Sequence, residues 1–176
     1  SEMCIRDRYK IDTMSQVIDD TTFIGGYESK HMTMIENISR LSYSMYLNEE
    51  AYNALKQMYD DLYKNTKKRF LVTSAYKSYD VLNLEENTSQ AGYSEFQLGT
   101  SVSLKVNGIK DVEFVSTDVY QWLLEHSYEY GYVLRYPSDK VTITQKESCN
   151  IFRYVGKENA QKMHNQNLCL EELNNQ

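Results

Sequence analysis

TDVYQWLLEHSYEYGYVLRYP, residues 117–137, carries a complete helix-to-strand unit. Thr117 and Asp118 place side-chain oxygens where the first helical N–H groups lack partners. Val119, Trp122, Leu123, His126 and Tyr130 recur at helical spacing and line one face. On that face His126 reads as a hydrogen-bonded core residue. Gly131 is the natural stop, because a left-handed residue just past a helix strains any side chain but glycine's absent one. Tyr132 to Tyr136 then reads as a strand, ended by Pro137, the single proline of the chain.

Toward the N-terminus, residues 48–65 form the clearest helix. Asn48 caps it, Glu49 and Glu50 suit the positive end of the helix dipole, and Lys64, Lys67 and Lys68 suit the other end. Ala51, Leu55, Met58, Tyr59 and Leu62 make its apolar face. Residues 70–74 read as a short buried strand and 83–90 as a polar loop. Residues 101–106 alternate as a strand. Asn107-Gly108 is a hairpin signal, which makes residues 112–115 the expected partner strand. Toward the C-terminus, residues 151–155 form a strand closed by Gly156, followed by a helix over 157–165 and a helical tail over 170–173. Residues 9–44 read as a lead-in to a domain spanning 45–176. Gly25-Gly26 marks a turn there, and residues 32–41 read as either a short helix or an extended arm. Helices and strands mix without the repeating rhythm of a parallel sheet, and there is no internal repeat. The fold class is therefore α+β, with a small central antiparallel sheet flanked by helices.

Residues 3–8, Met-Cys-Ile-Arg-Asp-Arg, resemble the translation of a transposon adapter used in sequencing libraries. Residues 1–8 are accordingly set aside as non-native. The 176 residues suffice for one domain with a real core, and the net charge of −6 lacks the basic footprint that nucleic-acid binding requires. No apolar run approaches the roughly 20 residues of a membrane helix. Sixteen tyrosines suit either half-buried packing positions or a cleft that faces a peptide or carbohydrate. Cys149 and Cys169 remain once Cys4 is discounted, and their spacing leaves pairing open. No Cys/His cluster suggests a structural zinc site.

Four segments in order carry a family resemblance. They are Tyr46 to Leu55 leading to Leu71-Val72-Thr73-Ser74-Ala75-Tyr76-Lys77-Ser78-Tyr79; Ala91-Gly92-Tyr93-Ser94-Glu95-Phe96-Gln97-Leu98-Gly99; Trp122-Leu123 through Tyr130 to Pro137, with Lys140 and Ile143-Thr144 after it; and Phe152-Arg153-Tyr154-Val155-Gly156. Together they resemble the VanY-type D-alanyl-D-alanine carboxypeptidases, zinc enzymes that trim the last D-Ala from peptidoglycan stem peptides. The resemblance covers about residues 45–175 and implies a small α+β domain. It also implies three zinc ligands and a carboxylate that activates the metal-bound water.

This chain departs from that pattern at each of those positions. The first zinc histidine falls at Phe96, the zinc aspartate at Ser103, the second histidine at Ile151 and the catalytic glutamate at Ser148. The tryptophan usual between the last two is Asn150. This stretch is one residue shorter than the family's, which brings Glu147 toward the glutamate's place. The substrate-binding arginine is Lys77, and a glutamine five residues on is Leu82. None of the histidines His31, His126 and His164 lies in a zinc-ligand motif. His31 and His164 read as surface residues. The expected cofactor is therefore none. Phe96 and Ile151, if fully buried, would each stabilise by about 1.5–3 kcal/mol.

The surviving rim is Tyr76, Lys77, Ser78, Tyr93, Ser94 and Gln97, the candidate substrate-binding residues. Lys77 keeps a positive charge for a peptide carboxylate without the bidentate geometry of arginine. The reading is a catalytically inactive domain that binds stem peptides or a cell-envelope partner, outside a bacterial membrane and with a signal or anchor upstream of residue 1. The alternatives are an active peptidase with a non-standard site and an assembly module that keeps the fold without the cleft.

Overall fold

The computed structural model describes residues 14–85 and 91–176; the adapter-like residues, Cys4 and residues 86–90 of the polar loop lie outside them. Two short strands, β1 (Met32–Met34) and β2 (Tyr46–Asn48), pair antiparallel and lead into α1 (Glu49–Thr66). The lead-in is thus an extended arm over residues 32–34. It also contributes Ile35 and Ile38 to the main core. Asn48 caps α1 as expected, its side chain accepting from the Glu50 and Ala51 N–H groups at 3.0 and 3.2 Å. Lys67, left-handed at φ 60°, ends the helix by donating its N–H to the Tyr63 carbonyl.

The central sheet has the order β3-β4-β6-β5, formed by β3 (Leu71–Ser74), β4 (Ser101–Lys105), β5 (Tyr132–Tyr136) and β6 (Ser148–Tyr154). Every neighbouring pair is antiparallel. Around it lie the short helices α2 (Tyr79–Leu84), α3 (Asp111–Phe114), α4 (Asp118–His126), α5 (Val141–Thr144), α6 (Lys157–Gln166) and α7 (Leu170–Asn174).

Strand alternation divides the work of the sheet. Val72, Val102, Leu104, Phe152 and Tyr154 turn to one face and bury against Ala51, Leu55, Met58 and Leu62 of α1 and Val119 and Leu123 of α4. Three tyrosines fasten α1 over that face. Tyr132 donates to the Ala51 carbonyl at 2.6 Å, Tyr154 to the Glu50 carboxylate at 2.8 Å and Tyr130 to the Asp61 carboxylate at 2.7 Å. Each ring buries apolar area while its hydroxyl finds a partner, which accounts for part of the tyrosine excess. The opposite face is divided. Val133 and Val155 pack there with Ala160, Met163 and Leu170 under α6 and α7. Ser101, Ser103, Lys105, Ile151 and Arg153 occupy the rest by alternation.

Three expectations are corrected. Residues 111–114 form a helical turn, not the partner strand of a hairpin. The turn at Asn107-Gly108 exists, with Gly108 at φ +78°, but both edges of β4 are already taken by β3 and β6. The polar loop expected from residue 83 begins later, because Ser78 caps α2 by accepting from the Val81 N–H at 3.2 Å. His126 is not in the core: its side chain is 39% exposed, with Nδ1 3.0 Å from the Glu129 carboxylate. The α4 helix ends at His126, and the 3-10 turn that follows carries Tyr130 inward in its place.

Candidate functional site

Five positions from three separate stretches of the chain, Ser74, Phe96 with Ser103, and Ser148 with Ile151, meet on the open face of the sheet. Ser103 and Ile151 are direct cross-strand partners in β4 and β6, and Ser74 lies opposite Ser103 on the other side, beyond a bulge in β3. Ser148 comes from the start of β6, its hydroxyl accepting from the Asn150 N–H at 3.2 Å. Phe96 is delivered by a 3-10 turn, Glu95–Leu98, that the Ser94 hydroxyl caps by accepting from the Phe96 N–H at 3.2 Å. Gly99 ends this turn at φ +77°, where an added Cβ would stand 2.6 Å from the Ser29 hydroxyl oxygen. Any side chain there would push away the lead-in, so this glycine sets how closely the arm approaches the turn.

Together these residues line a cleft of about 360 Å³, completed by Leu41, Thr73, Lys105, Asp111 and Asn150. Its wall is tied down from behind. Thr73 donates its hydroxyl to the Ser103 carbonyl at 3.2 Å, and the Asn150 side-chain amide donates to the Leu104 carbonyl at 2.8 Å. Phe96 and Ile151 are both half-buried. Each therefore contributes only part of the stabilisation expected for full burial. Glu147 is exposed and does not line the cleft. The described lining contains no tyrosine.

The cleft offers a poor donor set for zinc. Phe96 and Ile151 have no lone pair to give, and serine hydroxyls are weak ligands beside the Cys, His and carboxylate groups that zinc takes. Among the described residues no three His, Cys, Asp or Glu side chains converge as a metal site. His31 and His164 are exposed, and His164 stacks on Tyr128 at 3.7 Å between ring centroids. Cys149 and Cys169 are both free thiols, and burial pushes the Cys169 thiol up to about 11.

The rim candidates have diverse jobs. The Lys77 ammonium sits 5.9 Å from the centroid of the Phe96 ring but is held by both oxygens of Glu85, at 3.0 and 2.9 Å. Tyr76 is half-buried, and burial followed by the nearby Glu28 charge raises its pKa. Tyr93 packs on Phe23 with ring centroids 5.0 Å apart. Ser78 and Ser94 are helix caps, and Ser94 is buried. Gln97 is wholly buried. It accepts from the Gly92 N–H at 2.9 Å and donates to the Gly25 and Tyr27 carbonyls at 2.8 and 3.0 Å. It therefore stitches the lead-in to the domain and does not reach the cleft. Leu82, which the resemblance sets against a glutamine, is buried in α2.

On the same face of the sheet, two residues along from the Ser103 and Ile151 pair, lies a feature that sequence reasoning missed. Glu95, buried, meets the Arg153 guanidinium at 2.6 Å and the Arg135 Nε at 3.3 Å, and Arg135 reaches on to Glu171 at 2.7 Å. Ser101 donates to the same Glu95 oxygen at 3.1 Å, and Arg153 also donates to the Gln16 carbonyl at 3.0 Å. Burial alone would raise the Glu95 pKa. The Arg153 and Arg135 charges, with hydrogen bonds from Arg153 and Ser101, outweigh it and hold the carboxyl below its ordinary value. The signal was present as an arginine inside each of two otherwise apolar strands, since a charge at such a position needs a buried partner.

This sheet, its cap of helices and a cleft across β3, β4 and β6 define a carboxypeptidase-like fold. Residues 44–157 match the family described as VanY, D-alanyl-D-alanine carboxypeptidase, and the chain belongs to it. A D-alanyl-D-alanine carboxypeptidase of Enterococcus faecium is 32% identical over 152 residues, covering 82% of this chain and 49% of the relative. One from Enterococcus faecalis (strain ATCC 700802 / V583) is 45% identical over 86 residues, covering 48% and 31%. The chain thus spans half or less of the length of these relatives. Among solved structures, the LdcB LD-carboxypeptidase superposes with a TM-score of 0.81 at 28% identity, covering 90% of this chain and 84% of that one. VanYB in complex with D-alanine-D-alanine gives 0.73 at 25%, covering 92% and 97%. A VanY D,D-pentapeptidase in complex with Zn(II) gives 0.74 at 25%, covering 92% and 99%.

Proposed function

We propose that this domain is a catalytically inactive relative of the D-alanyl-D-alanine carboxypeptidases that binds peptidoglycan stem peptides without cleaving them. The observation that carries the reading is the composition of the cleft. Phe96, Ser103, Ile151 and Ser148, to which the resemblance assigns the zinc ligands and the base, line one cleft. That set offers neither the donors that zinc takes nor a carboxylate to deprotonate water. The cleft itself stays open at about 360 Å³, within the roughly 300–1,000 Å³ of ordinary ligand sites. Its polar lining of Thr73, Ser74, Ser103, Ser148 and Asn150 supplies donors and acceptors for a peptide backbone. The peptide class follows from relatives solved with D-alanine-D-alanine and described for peptidoglycan recognition. Such a ligand places the protein outside the bacterial membrane, at the cell wall.

The test is an NMR titration with a peptide ending in Lys-D-Ala-D-Ala, with zinc present and free D-Ala assayed in parallel. Shifts at cleft residues without D-Ala release are expected. Zinc-dependent release of D-Ala would overturn the reading, and neither shifts nor release would favour an assembly role.

A further inference from the structure

Two lysines stand near the cleft, and their surroundings differ. Lys77, at the position of the family's substrate arginine, has its charge taken up by Glu85 at 2.9 and 3.0 Å. Lys105 lines the cleft itself, is half-buried and makes no ion pair or hydrogen bond from its ammonium to any described residue. Asp111, the one carboxylate in the described lining, forms no ion pair with it. An ammonium half-withdrawn from water without a carboxylate gains more from an incoming anion than one already paired.

The placement of Lys105 gives that anion a position. Lys105 lies two residues beyond Ser103 on β4, so both side chains leave the same face of the strand. Their Cα atoms are separated by about 7 Å, two residues of strand rise. Ser103 is paired with Ile151, and Phe96 lines the same cleft. An apolar floor therefore lies about 7 Å along the strand from a lysine whose flexible side chain can lean back toward it. That arrangement fits a chain end with a small apolar side chain and a free carboxylate.

We infer that Lys105, and not Lys77, fixes the terminal carboxylate of a peptide in this cleft, with the terminal side chain on Phe96 and Ile151. The inference rests on the binding function proposed above and assigns its specificity. The free carboxylate is the recognised group, so a peptide continued or amidated at its C-terminus is a poor ligand. Asp111, exposed in the same wall, disfavours peptides with further acidic groups near the end.

The experiment compares a Lys-D-Ala-D-Ala peptide as free acid and as C-terminal amide, by NMR titration against wild type, Lys105→Gln, Lys105→Arg and Lys77→Gln. A charge-assisted contact of this kind predicts that wild type binds the acid about tenfold more tightly than the amide. Lys105→Gln abolishes that preference, Lys105→Arg keeps it, and Lys77→Gln costs less than Lys105→Gln. Equal binding of acid and amide by wild type overturns the inference and leaves the binding function standing, even if a variant fails to fold. Loss of the preference in Lys77→Gln with its retention in Lys105→Gln does the same. Shifts from neither peptide remove the binding function, and the inference with it.

Discussion

Glu95 and Phe96 are neighbours in one 3-10 turn, and Arg153 and Ile151 are two residues apart on one strand, yet each pair is split between two opposite regimes. Glu95 and Arg153 lie inside two of the segments that carry the family resemblance and are buried as an ion pair. Phe96 and Ile151, the positions that the resemblance assigns to zinc histidines, are apolar and half-buried. The difference lies in who the partner is. Inside the ion cluster each charge is held by another side chain of the same protein, so losing one strands the other in a dry environment. In the cleft the ligands would have answered to a metal. Without that metal, ligand side chains would be unpaired lone pairs and charge, and neutral or apolar replacements relieve the cost. One region is locked by mutual dependence, and on the proposed function its neighbour is not.

The strongest test of this contrast sets Arg153→Met against Phe96→Leu in urea unfolding at pH 7. Breaking the buried pair from one side should cost about 3–5 kcal/mol, whereas trimming a half-buried ring should cost about 1 kcal/mol. Similar losses would break the comparison. The ion cluster also has a pH signature. Folding lowers the Glu95 pKa from its ordinary 4.5, so the folded state favours the ionised form. Its contribution is complete above that value and is lost as the pH falls through the depressed folded pKa. Asp19 and Glu172 shift the same way nearer the surface. Glu95→Gln should therefore flatten, without abolishing, the loss of stability below about pH 4.5.

A smaller effect is expected from rebuilding the cleft. Phe96→His, Ser103→Asp, Ile151→His and Ser148→Glu together restore the family's donor set on strands that still bring these positions together. Without metal this variant should lose about 2–3 kcal/mol, since polar groups replace apolar ones. Zinc at a hundredfold excess over its dissociation constant should return about 2.7 kcal/mol, read as a metal-dependent rise in Tm that wild type lacks. A folded variant indifferent to zinc would mean that these four positions are not the family's metal site.

The sheet strands, α1 and α4 were legible in the sequence because each carries a period, a cap and a stop of its own. Asn48 announces itself at any distance from its neighbours, whereas Gly131 closes a 3-10 turn that follows α4 and not α4 itself. Residues 112–115 misled because a turn signal at Asn107-Gly108 is local, whereas the occupation of both edges of β4 is decided by β3 and β6. The site was legible in part. The convergence of Phe96, Ser103, Ile151 and Ser148 followed from the resemblance, but the rim did not. Ser94, Ser78 and Gln97 have polar side chains that could face a ligand or satisfy backbone groups, and only the packing shows that they cap and stitch. Lys105 was passed over for the opposite reason: nothing in its sequence neighbourhood separates a cleft lysine from a surface one.

The gentlest substitution sharpens the contrast most cleanly. The resemblance assigns the general base to Ser148, whose hydroxyl accepts from the Asn150 N–H within its own strand at 3.2 Å. If the cleft has been released from catalysis, Ser148→Ala removes a half-buried local contact and little else. Stability should change by no more than about 0.5 kcal/mol, as for ordinary substitutions away from a network. Peptide shifts should persist, since recognition is carried by Lys105 and the apolar floor. A large loss of binding with an intact fold would make the hydroxyl a direct partner of the ligand. The position would then have changed its role instead of losing it, and the boundary between the locked and the unlocked regions would run through β6 itself, between Ser148 and Ile151.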